Sequence, residues 1–170
     1  VSNPIVVGTW NHIALVRTGT TIGLFVNGSR IGSYTSSFSF DVGVLYIGQQ
    51  TPGYSNHWFN GYASNVRVIK GSGPYNATQS TLTVPTSPLT AITNTSLLLN
   101  YTNGGIIDNA MMNDLETVGN AQISTSVVKY GTGSLAFDGT GLNPVCIPSV
   151  NLGTGTVIGT NPTTIGNIPK

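Results

Sequence analysis

The dipeptide Asn27-Gly28 constrains this chain more than any other feature. Both residue types accept positive φ, which a two-residue turn between twisted antiparallel strands requires. Before it, Ile22, Leu24 and Val26 alternate along one side of a strand; after it, residues 31–35 return as the partner. Upstream, His12, Ala14 and Val16 share one face of a strand and Ile13, Leu15 and Arg17 the other, with a turn at residues 18–21. A chain that opens with two such hairpins is committed to antiparallel sheet.

No later stretch shows helical periodicity. Residues 44–48 read as a short strand and residues 59–69 as one long strand, with Tyr62, Val66 and Val68 facing one way and Arg67 the other. Strands are also expected at residues 96–101, 127–130, 133–137 and 144–147, with a loop over residues 108–114. Between them, residues 70–96 lose the alternation and carry Pro74, Pro85 and Pro88, so they form either a linker or an ordered strap crossing a sheet.

Composition supports strands and narrows the partners. Only 6% of the 170 residues are charged, against about 25% in ordinary soluble domains. Glu116 is the sole glutamate, and Ser, Thr, Asn and 22 glycines supply most of the polarity. With a net charge of +1 there is no basic field to attract nucleic acid or an anionic membrane, and neither is expected as a partner. No apolar run approaches the ~18 residues of a membrane span. Cys146, flanked by Val145 and Ile147, has no internal partner and reads as a small buried apolar group. The chain begins at Val1 and carries no visible signal peptide, which reads as a processed product or part of a longer polypeptide.

Several motifs together carry a family resemblance. Residues 9–14 (Thr-Trp-Asn-His-Ile-Ala), 24–28 (Leu-Phe-Val-Asn-Gly), 46–48 (Tyr-Ile-Gly) and 59–67 (Phe-Asn-Gly-Tyr-Ala-Ser-Asn-Val-Arg) resemble the second half of a laminin G-like, concanavalin A-like jelly roll. The similarity in style is to modules found in tandem in phage and marine-virus structural proteins. Residues 85–90 resemble the connector between such modules. Residues 96–100, Ile107-Asp108 and residues 130–139 resemble the opening of the module. The resemblance covers roughly residues 8–150, with its two halves in reversed order. It implies an all-β antiparallel jelly-roll sandwich, permuted or split between two modules. The divisions are residues 1–70 as the C-terminal half, 71–95 as connector or strap, 96–150 as the N-terminal half, and 151–170 as a Gly/Thr-rich extended tail. Either the front half folds back onto the back half within one chain, or each half is completed by a neighbouring chain or by other segments.

Catalytic patterns are missing from the sequence. A glycosidase needs two carboxylates flanking the scissile bond, yet among Asp41, Asp108, Asp114, Glu116 and Asp138 no two alternate on a strand. Asp114 and Glu116 stand two apart, but in a loop-like stretch beside Met111-Met112. There is no Gly-x-Ser-x-Gly elbow, and His12 lies in an apolar strand, where it reads as a structural imidazole. No enzyme is expected. No organic cofactor is expected either. Calcium is the metal whose oxygen ligands the chain offers, at Asp108, Asn109 and Asp114, with Asn113, Asp41 and Asp138 as further donors. Asp138-Gly139 also reads simply as a turn.

The loop containing Tyr54, Asn56, His57, Trp58 and Asn60 combines amphipathic rings with amides, the residue types that stack on sugars and bond their hydroxyls. The alternative is that Trp58 and Phe59 close the sandwich edge as core caps, and Trp10 reads as core. Sequons begin at Asn27, Asn76, Asn94 and Asn100, as chance allows in a chain of this composition. The expectation is a non-enzymatic structural subunit of a virion surface: a fibre, capsid decoration or tail component. Its partners would be other copies of itself or other virion proteins, and its location the virion surface or the extracellular space. A surface with few charges to desolvate favours packed subunit interfaces. The competing class is a carbohydrate-binding module that attaches to glycans on a host or cell surface.

Overall fold

A computed structural model describes residues 4–39, 43–50, 57–101, 106–110, 116–117, 121–139 and 145–150. All regular structure among them is β-strand, and every ladder is antiparallel. The strands fall into two compact units, one holding the described residues of Val1–Ser39 and Gly71–Ser87, the other those of Phe40–Lys70 and Pro88–Lys170.

The first unit is a sheet of order β1-β2-β3, with β1 at Ile13–Thr18, β2 at Thr21–Val26 and β3 at Ser29–Thr35. Thr18 pairs with Thr21 and Val26 with Ser29, so each connection is a two-residue turn. Asn27 (φ 49°) and Gly28 (φ 84°) adopt the positive φ pair expected of them. The return strand starts at Ser29, two residues earlier than the alternation suggests, because Ile31 is an unpaired bulge between Leu24↔Gly32 and Phe25↔Arg30.

The strap is ordered along this sheet. Leu82 N–H donates to Gly28 O (2.8 Å), Arg30 N–H to Ser80 O (2.9 Å), and Thr81 bridges Ser29. The Arg30 guanidinium donates to the carbonyls of Ala77 (3.0 Å) and Thr78 (3.1 Å). Ala77 N–H donates to Thr18 Oγ1 at 3.0 Å. Phe25 and Ala77 are fully buried as a result. On the other face of the sheet, the register aligns Leu15 with Leu24 and Ile22 with Tyr34. There Ile13 (62%), Leu15 (65%), Leu24 (37%) and Tyr34 (69%) remain exposed. Trp10, expected in the core, is only half-buried.

The second unit holds β4 (Gly43–Ile47), β5 (Asn60–Ala63), β6 (Val66–Ile69), β7 (Thr95–Leu99), β8 (Glu116–Thr117), β9 (Gln122–Ser124), β10 (Ser134–Asp138) and β11 (Val145–Val150). They form sheets of order β5-β10-β9, β4-β11-β8 and β6-β7. Three ladders, β4 with β11, β5 with β10 and β6 with β7, join strands before the strap to strands after it within one chain. The core is Leu97, Leu99, Tyr101, Leu135 and Phe137, with Leu45, Ile47, Ala63, Val66, Val68 and Ile123 packed on it.

Three sequence expectations change. The long strand over residues 59–69 is two strands in two sheets, broken at Ser64-Asn65. Asn65 takes φ 56°, and its Oδ1 accepts the Leu89 N–H at 2.8 Å, a local bond that competes with strand continuation. Tyr62 therefore lies on an exposed face while Val66 and Val68 pack on the core. Residues 127–130 are not a strand. The partner of β10 is Gln122–Ser124, and the Ser124 hydroxyl accepts the Val127 N–H at 3.2 Å to turn the chain. The loop expected over residues 108–114 contains a bridge between Asp108 and Leu99. The side chain of Cys146, the acids Asp41, Asp114 and Glu116, and residues 151–170 lie outside what is described, except that Glu116 and Cys146 contribute backbone to β8 and β11.

Candidate functional site

The residues of the aromatic loop separate in the fold. Tyr54 and Asn56 lie outside the described residues. His57 and Trp58 form the neck of the loop: Gln50 N–H donates to His57 O (3.1 Å), Phe59 N–H donates to Gly48 O (2.8 Å), and Trp58 bridges Gln49. His57 is exposed and Trp58 half-buried. Trp58 Nε1 and both amide atoms of Gln49 are buried without a hydrogen-bond partner. The Phe59 ring meets Phe137 edge-on at 5.7 Å and closes the side of the core.

Asn60 goes elsewhere. It opens β5, where it pairs with Asp138 of β10. One step along, Tyr62 pairs with Ala136, and Ala136 pairs with Gln122 of β9. Because side chains alternate along a strand, Leu135, Phe137 and Ala63 point to the core. Asn60, Tyr62, Gln122, Ala136 and Asp138 share the opposite face and line a cavity of about 290 Å³. Asn60, Gln122 and Asp138 are exposed, and Tyr62 is 42% exposed. The small Ala136 forms the floor between the taller Tyr62 and Gln122. The bare backbone of Gly139 seats Asn60, since a Cβ there would stand 2.6 Å from the Asn60 Cβ.

Sequence reasoning missed Tyr62 and Gln122 as site residues and took Asp138 only as a metal donor or turn. These residues are brought together by the register of three strands from distant parts of the chain, which no local motif encodes.

The calcium donors fare differently. Asp108 is 4% exposed, and its Oδ1 accepts the N–H groups of Leu98 (2.8 Å) and Ala110 (2.9 Å). Asn109 donates its N–H to Leu98 O at 2.7 Å and its amide to Ile107 O at 3.4 Å. Asp114 lies outside the described residues. Among the described residues no group of three or more His, Cys, Asp or Glu side chains gathers to hold a metal.

Burial lowers the His12 pKa below its ordinary 6.5 and raises that of the Tyr101 hydroxyl far above its usual range. The His12 ring meets Tyr75 edge-on at 6.2 Å.

Comparison with known proteins bears on the first part of the chain. A family model described as the concanavalin A-like lectin/glucanases superfamily matches residues 1–72. Residues 1–72 are therefore similar in sequence to that superfamily. This laminin G-like segment includes β1 through β6 and so draws on both compact units, while β7 through β11 lie beyond it. No curated protein and no solved structure matches the chain.

Proposed function

We propose that the protein is a non-enzymatic structural subunit of a virion surface, held there by other copies of itself or by other virion proteins. The observation that carries this reading is the exposed apolar row Ile13, Leu15, Leu24 and Tyr34 on a sheet whose other face the strap covers. A contiguous apolar face of this kind marks an interaction surface. Few charges surround it, so covering it desolvates little that is ionic. The virion setting rests on the resemblance to modules repeated in phage and marine-virus structural proteins. The permuted arrangement of two half-modules is part of the same proposal, supported by the three ladders that join both halves within one chain. The superfamily includes glucanases, but the matching segment contains a single acid, Asp41, and a glycosidase needs two.

Light scattering behind size-exclusion chromatography tests the assembly. The wild type is expected as an oligomer, and Leu15→Asp combined with Leu24→Asp as a folded monomer. A wild type that stays monomeric at high concentration overturns the reading.

A second reading is a carbohydrate-binding module for host or cell-surface attachment. The specific observation favouring it is the face of β5-β10-β9, where an exposed tyrosine stands among two amides and a carboxylate.

A further inference from the structure

Resting on the carbohydrate reading for the class of ligand, we propose that the strap carries a binding site of its own, which takes a neutral saccharide and shares no residue with the β5-β10-β9 trough. Pro74, Tyr75, Gln79, Thr81, Leu82 and Thr83 line a cavity of about 450 Å³. That volume falls within the range of small-molecule sites. All six residues belong to the first compact unit, whereas the trough belongs to the second.

The loop that forms the cavity is fixed from within. Asn76 Oδ1 accepts the Thr78 N–H and the Thr78 hydroxyl, both at 2.9 Å, which turns the chain back. The Arg30 guanidinium holds the Ala77 and Thr78 carbonyls, and Leu82 N–H is bonded to Gly28 O at 2.8 Å. Glycine lets the loop lie this close to the sheet: a Cβ at Gly28 would stand 2.9 Å from Leu82 O, and one at Gly23 would stand 3.0 Å from Ala77 O. The Tyr75 hydroxyl donates to Thr83 O at 3.0 Å and joins the two ends of the loop. A site held in this way needs little ordering when it binds.

The outward groups are left open. Gln79, Thr81 and Thr83 are exposed, and among the described residues no hydrogen bond uses the Gln79 amide or the hydroxyls of Thr81 and Thr83. These groups offer donors and acceptors without charge. Pro74, Leu82 and the Tyr75 ring supply apolar surface beside them, and an aromatic ring suits the C–H face of a pyranose. Among the described residues no Asp, Glu, Lys, Arg or His lines the cavity. Hydroxyls and C–H faces together are what a saccharide presents, and an ionic ligand would gain no counter-charge here.

The test passes the full chain over immobilised mannan, galactan and β-glucan. Retention is expected on at least one of them, and it should stay within about twofold between about 50 and about 500 mM NaCl, since no ionic group contributes. Gln79→Ala combined with Thr83→Val should weaken retention about tenfold or more, the loss expected of two hydrogen bonds. Both positions are exposed, so the melting temperature should not move. Thr81→Val repeats the test should that pair fail to fold. Retention that survives the strap variants overturns the inference, and its loss from Tyr62→Ala combined with Gln122→Ala would then keep the carbohydrate reading with the trough as its site. Retention that salt abolishes overturns the neutral class of ligand. No retention on any of the three polysaccharides overturns the inference and the carbohydrate reading together.

Discussion

His12 and Asn27 exchange hydrogen bonds at the mouth of the second hairpin: Asn27 N–H donates to His12 O at 2.8 Å, and His12 N–H donates to Asn27 Oδ1 at 2.9 Å. The same asparagine holds φ 49° for the turn and donates its amide to Asn11 Oδ1 at 3.0 Å. One side chain therefore serves the turn and the entry to β1. Asn27→Ala loses the side-chain bonds and places a Cβ residue in the left-handed region without local compensation, for a cost of about 2 kcal/mol. Asn27→Gly loses only the bonds and should cost about half as much. Urea midpoints of the two variants measure the difference, and equal losses would contradict this division of roles.

His12 also gives the fold a pH dependence. Burial holds its pKa below the unfolded value of 6.5, and its Nδ1 is buried without a hydrogen-bond partner. The unfolded chain therefore takes up the proton first as pH falls. Stability from this group is fully present above 6.5 and is lost as pH drops through 6.5 towards the lower folded pKa. Denaturant midpoints between about pH 7.5 and about pH 5.5 should fall. In His12→Gln that part of the slope should vanish.

Asp108 is expected to act as a structural carboxylate. Asp108→Ala leaves the Leu98 and Ala110 N–H groups without their acceptor, at a cost of about 2–4 kcal/mol. Thermal melts with calcium and with chelator should show the same gap between wild type and variant. A calcium-dependent rise in the wild type that Asp108→Ala abolishes would make Asp108 a ligand instead.

Gly139 (φ 72°) couples backbone to site. Gly139→Ala puts a Cβ against Asn60 and strains the turn, for about 1–2 kcal/mol of stability. Under the carbohydrate-binding reading its glycan retention should fall with the displaced amide, while Leu135→Ala, which empties the core behind the same strand, should cost more stability, about 2–5 kcal/mol. Retention that follows stability in both variants, rather than falling further in Gly139→Ala, would remove Asn60 from the site.

The sequence disclosed what neighbouring residues decide. Asn27-Gly28 specifies its turn through φ alone, and the Leu15 and Leu24 strands follow from simple alternation. β5 and β6 were hidden because their break depends on Asn65 finding Leu89, 24 residues away. β9 was hidden because Val127-Val128 has the stronger strand composition, while the Ser124 hydroxyl bends the chain before it. Of the trough, only Asn60 stood out from the sequence as a ligand residue. Tyr62, Gln122 and Asp138 become neighbours only through the β5-β10-β9 register, and Trp58, the most conspicuous residue of the loop, does not line the cavity.

The chain passes from the first compact unit to the second near residue 40, returns at Gly71 and leaves again at Pro88. Neither unit is a contiguous stretch of gene. A single truncation or protease nick anywhere between residues 40 and 87 leaves at least one unit in two pieces, and a single recombination crossover cannot exchange one for another copy. Inheritance of this protein is therefore expected to be all-or-nothing across the strap, even though the segment matched by the family model ends close to where the strap begins.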